Sequence, residues 1–278
     1  MIVCTSCNHS FVPGCIALLN SVRLYHPEAA TIVVSCGLTK QDRVLLEQAG
    51  ANLSNDFETI DARLHGKAVA TKAGLIACKK YNDDLLLHID SDAWLLSNIQ
   101  DMFDSMPKDC LLAFNDKKAG NINDQTIIDL FGKAFNPVPL NAGIVFYKLG
   151  KNIDELINEF EESVFDEGRQ TKCGNQPILR ILAEKHRQLG ANIILHPDAQ
   201  HWNPIWGQAE KLTEKKQNVW INEATGNRQR IFHATGGKRR RKGKEKPWQN
   251  PKNWTSSILE CYQKISGIKL RSDGSGMA

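Results

Sequence analysis

Apolar residues in the first half of the chain come in short unbroken runs, separated by stretches with helical spacing. Residues 2–6, 31–36 (TIVVSC), 84–90 (DLLLHID) and 110–114 are continuous and rich in β-branched or aliphatic side chains. That pattern predicts strands covered on both faces. From Pro13 to the stop at Pro27, and again over 66–81, apolar positions recur every three or four residues, which predicts helices. Thr39 opens another helix with Asp42 in its first turn, and Gly50 closes it. A short extended piece precedes Asp61, and 98–103 reads as one short helix.

Further on, 139–147 (PLNAGIVFY without its polar start) reads as a strand. Residues 151–167 form an amphipathic helix with Ile153, Leu156, Ile157 and Phe160 on one side. Residues 175–189 form another, with Pro177 suited to its first turn. Residues 192–195 and 230–233 read as strands, and 254–265 as a final helix. The Gly/Ser-rich residues 271–278 read as a flexible tail. Strands alternating with helices predict a parallel α/β sheet. The second half is less regular, with no internal repeat and no clear linker. One domain with a C-terminal lobe packed on it is expected.

Composition narrows this only slightly. With 278 residues, 41% hydrophobic and 24% charged, the chain is long enough to build a core without staples. No run of eighteen apolar residues suggests a membrane span, and no basic, apolar leader opens the chain. A cytoplasmic protein with reduced thiols is therefore expected. The eight cysteines are scattered, and Cys4–Cys7 forms a CxxC without a second one. A structural zinc does not follow. Two half-buried thiols at a strand end are expected instead of a redox pair.

The net charge of +4 conceals an asymmetry. KRRRKGKEK, residues 238–246, carries a net +6, which leaves −2 for the rest of the chain. A general nucleic-acid binder is argued against, because the basic run also lacks interleaved aromatics. The run could close over a phosphate-bearing ligand, touch an anionic membrane surface, or simply be a solvated loop.

The chemistry concentrates in HIDSDAWLL, residues 88–96. Asp90-Ser91-Asp92 is a tripeptide that chance would supply about once in a chain of this composition. Its context says more. It ends a buried run, and ligands of open parallel sheets sit beyond the carboxyl ends of strands. Carboxylates at i and i+2 of an extended chain project to one side. They need a partner of opposite charge, and Mg²⁺ or Mn²⁺ wants such oxygens. Apolar residues resume at once, unlike a solvated acidic turn.

The segment IDSDAWLLSNIQDMF resembles the Asp-x-Asp segment of glycogenin and the family 8 retaining glycosyltransferases. Four other pieces resemble the same family in the same order. They are VCTSCNH, Thr71-Lys72, LNAGIVFY and HATGG…KPWQN, so the resemblance spans about residues 2–250. It implies a GT-A fold: a Rossmann-like, mixed but mostly parallel α/β sheet flanked by helices, with an irregular C-terminal acceptor lobe. In this reading residues 1–250 form one glycosyltransferase domain, with a nucleotide-binding half (1–115) and an acceptor half (116–250). A C-terminal helix (251–270) follows.

The resemblance also implies an activity. A hexose would move from a UDP-sugar to a glycan, lipid-linked saccharide or other hydroxyl acceptor, with retention and assisted by Mn²⁺ or Mg²⁺. Asp90, Asp92 and His233 would be the metal ligands, with Ser91 between the first two at the donor. Thr5 and Asn8 would hold the uridine, and Lys72 would reach the donor. Asn141, Asn175 and Gln176 would face the reacting sugar. Gly236 and Lys246 would sit on the diphosphate, with Lys238 as the alternative to Lys246. Peripheral contact at the inner face of a membrane would use 238–246.

Each residue also has a plainer reading. His233 could be a hydrogen-bonded strand-end histidine, Asn141 a turn residue beside a Gly143 bulge, and Lys72 a solvated lysine. Trp202, Trp206 and Trp248 could stack on sugars or lie in the core. Two departures stand out: Asn175 replaces an aspartate usual in the family, and the spacing from His233 to Lys246 is longer. Three rivals remain. They are a nucleotide-sugar binder without turnover, a nucleic-acid-binding module built on the basic loop, and a nucleotidyltransferase. Against the last, Gly14 is the sole glycine of the N-terminal turn.

Overall fold

The computed structural model describes residues 1–54, 62–115, 138–161, 175–196, 212–217, 219–223, 226–234 and 256–269. Its centre is a seven-stranded sheet in the order β3-β2-β1-β4-β7-β6-β8. These strands are β1 (Ile2–Cys7), β2 (Ala30–Ser35), β3 (Asn52–Ser54), β4 (Leu85–Ile89), β6 (Cys110–Asn115), β7 (Leu140–Lys148) and β8 (Asn192–His196). Strands β1 to β4 run parallel, and β8 is parallel to β6. Only β7 runs against its neighbours β4 and β6. The sheet is thus mixed but mostly parallel, as the resemblance implied, where the bare alternation of elements predicts a parallel one.

Helices cover both faces. On one lie α3 (Ala62–Tyr81), α5 (Ile153–Glu161) and α6 (Asn175–Gln188); the other carries α1 (Val12–Tyr25) and α4 (Gln100–Asp104). Helix α3 packs closely because Gly74 has no side chain. A Cβ there would stand 2.6 Å from Leu86 Cδ1 and 2.9 Å from Cys4 Sγ. Helix α2 (Lys40–Gln48) begins with a full capping box. Thr39 Oγ1 accepts from the Asp42 N–H at 3.2 Å, and Asp42 Oδ2 accepts from the Thr39 N–H at 2.9 Å.

Four short strands escaped the reading of the sequence. Strand β5 (Ala93–Leu95) directly follows the Asp pair and pairs antiparallel with β12 (Ile231–His233). A separate sheet joins β9 (Leu212–Lys216), β10 (Val219–Asn222) and β11 (Arg228–Gln229). The last helix, α7 (Ser256–Ser266), contributes Ile258 and Tyr262 to a core shared with Trp94 and Phe232.

Cys4 and Cys7 are not half-buried; both are buried, at 0% and 1% exposure. An odd spacing on a strand sends them to opposite faces, Cys4 toward α3 and Cys7 toward α1 and α2. The seven described cysteines are free. Among the described residues no helix is long and apolar enough to cross a membrane.

Candidate functional site

The Asp pair lies where β4 ends, but the chain there is a turn and not the extended segment expected. The Ala93 N–H donates back to the Asp90 carbonyl at 2.9 Å. The turn brings the carboxylates together in place of the pleat. It is pinned from two sides: the Asp90 N–H donates to Gly143 O of β7, and the Ala234 N–H donates to Asp92 O, both at 2.8 Å.

The β5–β12 pair carries His233 to this turn from 141 residues away. Register sets His233 opposite Ala93 and Phe232 opposite Trp94. The rings of Trp94 and Phe232 lie 4.5 Å apart, and those of Trp94 and Tyr262 lie 5.3 Å apart. Such aromatic pairs add about 0.5–1.5 kcal/mol each beyond area burial. An apolar anchor therefore holds the histidine in place.

Nε2 of His233 is 3.2 Å from Asp92 Oδ1 and 3.4 Å from Asp90 Oδ2. One ligand atom from each residue lies within 4.8 Å of the others, a grouping able to hold a metal ion. Two carboxylate oxygens and an imidazole suit Mn²⁺ better than Mg²⁺. Gly143 makes room for the group. A Cβ there would stand 2.7 Å from His233 Cε1, 3.0 Å from Asn141 Oδ1 and 3.1 Å from Asp90 Oδ2.

Charge is balanced inside the cluster. Burial would raise the Asp90 pKa. Lys67, His233 and His88 outweigh it and hold the carboxyl well below the usual range. Burial would likewise lower the His233 pKa, but hydrogen bonds to Asp90 and Asp92 lift it to about 9. Lys67 Nζ donates to Asp90 Oδ2 at 2.6 Å. Lys67 is the residue that the sequence reading missed. Lys72, singled out instead, is buried on α3 at 5% exposure.

The other expected residues fall as follows. Asn141 Oδ1 accepts from the Gly143 N–H at 2.9 Å, and Gln176 Oε1 accepts from the Ala142 N–H at 3.4 Å. Both therefore border the turn that carries Asp90. Asn175 opens α6 next to Gln176. Ser91 is buried between the aspartates. Thr5 is buried within β1, and its hydroxyl has no hydrogen-bond partner among the described residues. Asn8 caps a short 3₁₀ turn, accepting from the Ser10 N–H at 3.0 Å. Gly236, Lys238, Lys246, the run 238–246, Trp202, Trp206, Trp248 and the tail 271–278 lie outside the described residues.

The architecture, with its site at the carboxyl edge of a mixed seven-stranded sheet, is the GT-A fold. No family model matches the chain, and no curated protein matches it. Solved structures do. The galactosyltransferase LgtC, in complex with donor and acceptor sugar analogs, is similar at 17% identity and TM-score 0.55, over 96% of this chain and 95% of that one. The bifunctional glycosyltransferase WbbM is similar at 13% identity and TM-score 0.55, over 95% of this chain and 49% of that one. This chain thus spans about half of WbbM. A glycosyltransferase involved in the glycosylation of the major capsid of PBCV-1 has 12% identity and TM-score 0.50, over 86% and 96%. At these identities the likeness is one of fold.

Proposed function

We propose that the protein is a metal-dependent glycosyltransferase that moves a hexose from a UDP-sugar to a hydroxyl acceptor on a saccharide or glycolipid, with retention. One observation carries the reading. Asp90, Asp92 and His233, distant in sequence, converge at the carboxyl edge of a GT-A sheet with ligand atoms within 4.8 Å of one another. A divalent cation supplies charge neutralisation for a departing UDP diphosphate. The chain's own residues do the rest. Asp90 and Asp92 supply oxygens, His233 supplies a nitrogen, and Gly143 lets β7 approach closely. Asn141 and Gln176 border the same turn and are assigned to the sugar. Thr5, Asn8, Ser91 and Lys72 are assigned to the donor, with the basic run and Gly236 over its phosphates.

No side-chain nucleophile is required in this reading. The acceptor hydroxyl attacks the face that UDP leaves, and the departing phosphate oxygen takes its proton. UDP-sugar hydrolysis, measured across a panel of nucleotide sugars with and without Mn²⁺, tests it. Mn²⁺-stimulated release of UDP from one donor supports the proposal, and no release from any donor contradicts it. Asn175, where the resemblance expects a carboxylate, favours a second reading: a nucleotide-sugar binder without turnover. Binding of a nucleotide sugar without hydrolysis or transfer would select that one.

A further inference from the structure

A cavity of about 350 Å³ opens on the α4 face of the sheet, beside the edge strand β8. That lies within the usual size of small-ligand pockets, about 300–1,000 Å³. Its floor is aliphatic: Met102 from α4, Met106 just after it, Leu112 from β6 and Ile194 from β8. Helix α4 is only five residues long, and Ile194 stays 39% exposed. Two guanidiniums, Arg228 and Arg230, form the rim. They stand two residues apart on the chain that enters β12, so both face one way, while Gln229 between them is buried at 0% exposure. Their surroundings differ. Arg230 is engaged: Nη1 donates to the Asn98 carbonyl at 2.9 Å, and Nη2 pairs with Asp101. Arg228 is exposed and has no ion pair among the described residues. It places an uncancelled positive charge at the mouth of an apolar cavity.

We infer that this cavity is a binding site for a single-chain lipid phosphate, with the phosphate held at Arg228 and Arg230 and the aliphatic chain laid over the floor. The rim selects the head. A guanidinium fork binds an anion through paired N–H donors, and one fork is enough to occupy both oxygens of a carboxylate. A phosphate monoester presents three oxygens and can serve both arginines. The floor selects the body. No Trp, Tyr or Phe lines the cavity among the described residues, so a nucleobase finds no ring to stack on. Two methionines instead adapt to a flexible chain. The inference goes beyond the transfer reaction and does not rest on it. No lining residue belongs to the Asp90–Asp92–His233 group, and Arg230 precedes His233 by three residues, about 10 Å of extended chain.

Monomeric alkyl phosphates, titrated into the full chain by calorimetry, test it. From butyl to hexyl to octyl phosphate, affinity is expected to rise by up to about fourfold per methylene. Arg228→Ala should weaken octyl phosphate roughly tenfold, because a charged hydrogen-bond donor is gone. Ile194→Ser should weaken it roughly fivefold, because apolar area is gone. Inorganic phosphate, octyl glucoside and octanoate serve as probes that lack the chain, the charge and the phosphate in turn. Vesicles of phosphatidylcholine carrying phosphatidic acid test whether the lipid is taken from a bilayer. Circular dichroism checks that Arg228→Ala is folded, and Arg228→Gln replaces it if it is not.

Octyl phosphate binding that falls in both variants supports the inference. With vesicle capture the source is a bilayer, and without it the source is a free lipid phosphate. No binding of octyl phosphate by wild type overturns the inference, as does binding that a folded Arg228 variant leaves unchanged. Equal affinity for inorganic phosphate, octyl glucoside or octanoate also overturns it. Capture of vesicles without binding of the monomeric phosphates would assign the arginines to a membrane surface and overturn the cavity site. Each of these outcomes leaves the metal reading untouched.

Discussion

Two histidines in this protein are buried almost equally and behave in opposite ways. His233, at the carboxyl edge of the sheet, is 4% exposed, and His186, on α6, is 3% exposed. His186 stacks on the Tyr147 ring with centroids 6.4 Å apart. Burial, only partly offset by Asp109, pushes its pKa down to about 4. His233 meets the same burial, but two carboxylates within 3.4 Å lift its pKa to about 9. Burial alone makes a histidine neutral and part of the core. A buried histidine that keeps its charge marks a place where opposite charges are gathered. Asp90 and Asp92 are met by side chains brought from distant elements, Lys67 and His233. Asp42, by contrast, is held by the Thr39 N–H within its own helix cap.

Asp92→Asn should have the largest effect. It removes a cation ligand, and Mn²⁺-stimulated release of UDP should fall by on the order of 100-fold or more. His186→Leu, in the contrasting region, should lower stability and leave that rate within about threefold. Equal losses from both would erase the distinction between the two histidines.

Gly143→Ala comes next. Its Cβ would stand 2.7 Å from His233 Cε1, so the imidazole must move. A loss of roughly tenfold in Mn²⁺ affinity is expected, with about 1–3 kcal/mol of stability from overpacking. Unchanged Mn²⁺ binding would show that His233 is not held to this geometry.

Acid should act through His186. Its folded-state pKa of about 4 lies below the unfolded value of about 6.5. Its contribution is therefore complete above pH 6.5 and is lost as pH falls toward 4, by up to about 3 kcal/mol. Urea unfolding at pH 7 and pH 4.5 measures this, and His186→Leu should remove only part of the difference, because burial pushes the pKa of His88 down to about 4 as well. Smallest is Thr39→Ala. Loss of the cap should cost about 1 kcal/mol in thermal unfolding while leaving Mn²⁺ affinity unchanged.

The sequence made some of this legible and hid the rest for identifiable reasons. β4 was readable because LLLHI is apolar except for His88, and its end located the Asp pair. The capping box of α2 was readable because Thr39 and Asp42 are local partners. Strand β5 was hidden because AWL continues an apolar stretch and its partner lies far downstream. The sheet of β9 to β11 was hidden because LTEKK has the polarity of a loop. Lys67 was hidden for a geometrical reason. It and Lys72 are five residues apart on α3, so they project about 140° apart. The all-round burial of that helix left no amphipathic stripe to say which side faces Asp90. His233 was found through resemblance to a known family, and its β5–β12 setting emerged only from the fold.

The central claim is that Asp90, Asp92 and His233 form one cation site. Titration of Mn²⁺ into wild type, Asp92→Asn and His186→Leu, followed by electron paramagnetic resonance, tests it most directly. One bound Mn²⁺ per chain is predicted for wild type and for His186→Leu, and none for Asp92→Asn at the same concentrations. Mn²⁺ binding by Asp92→Asn with the wild-type affinity would contradict the account.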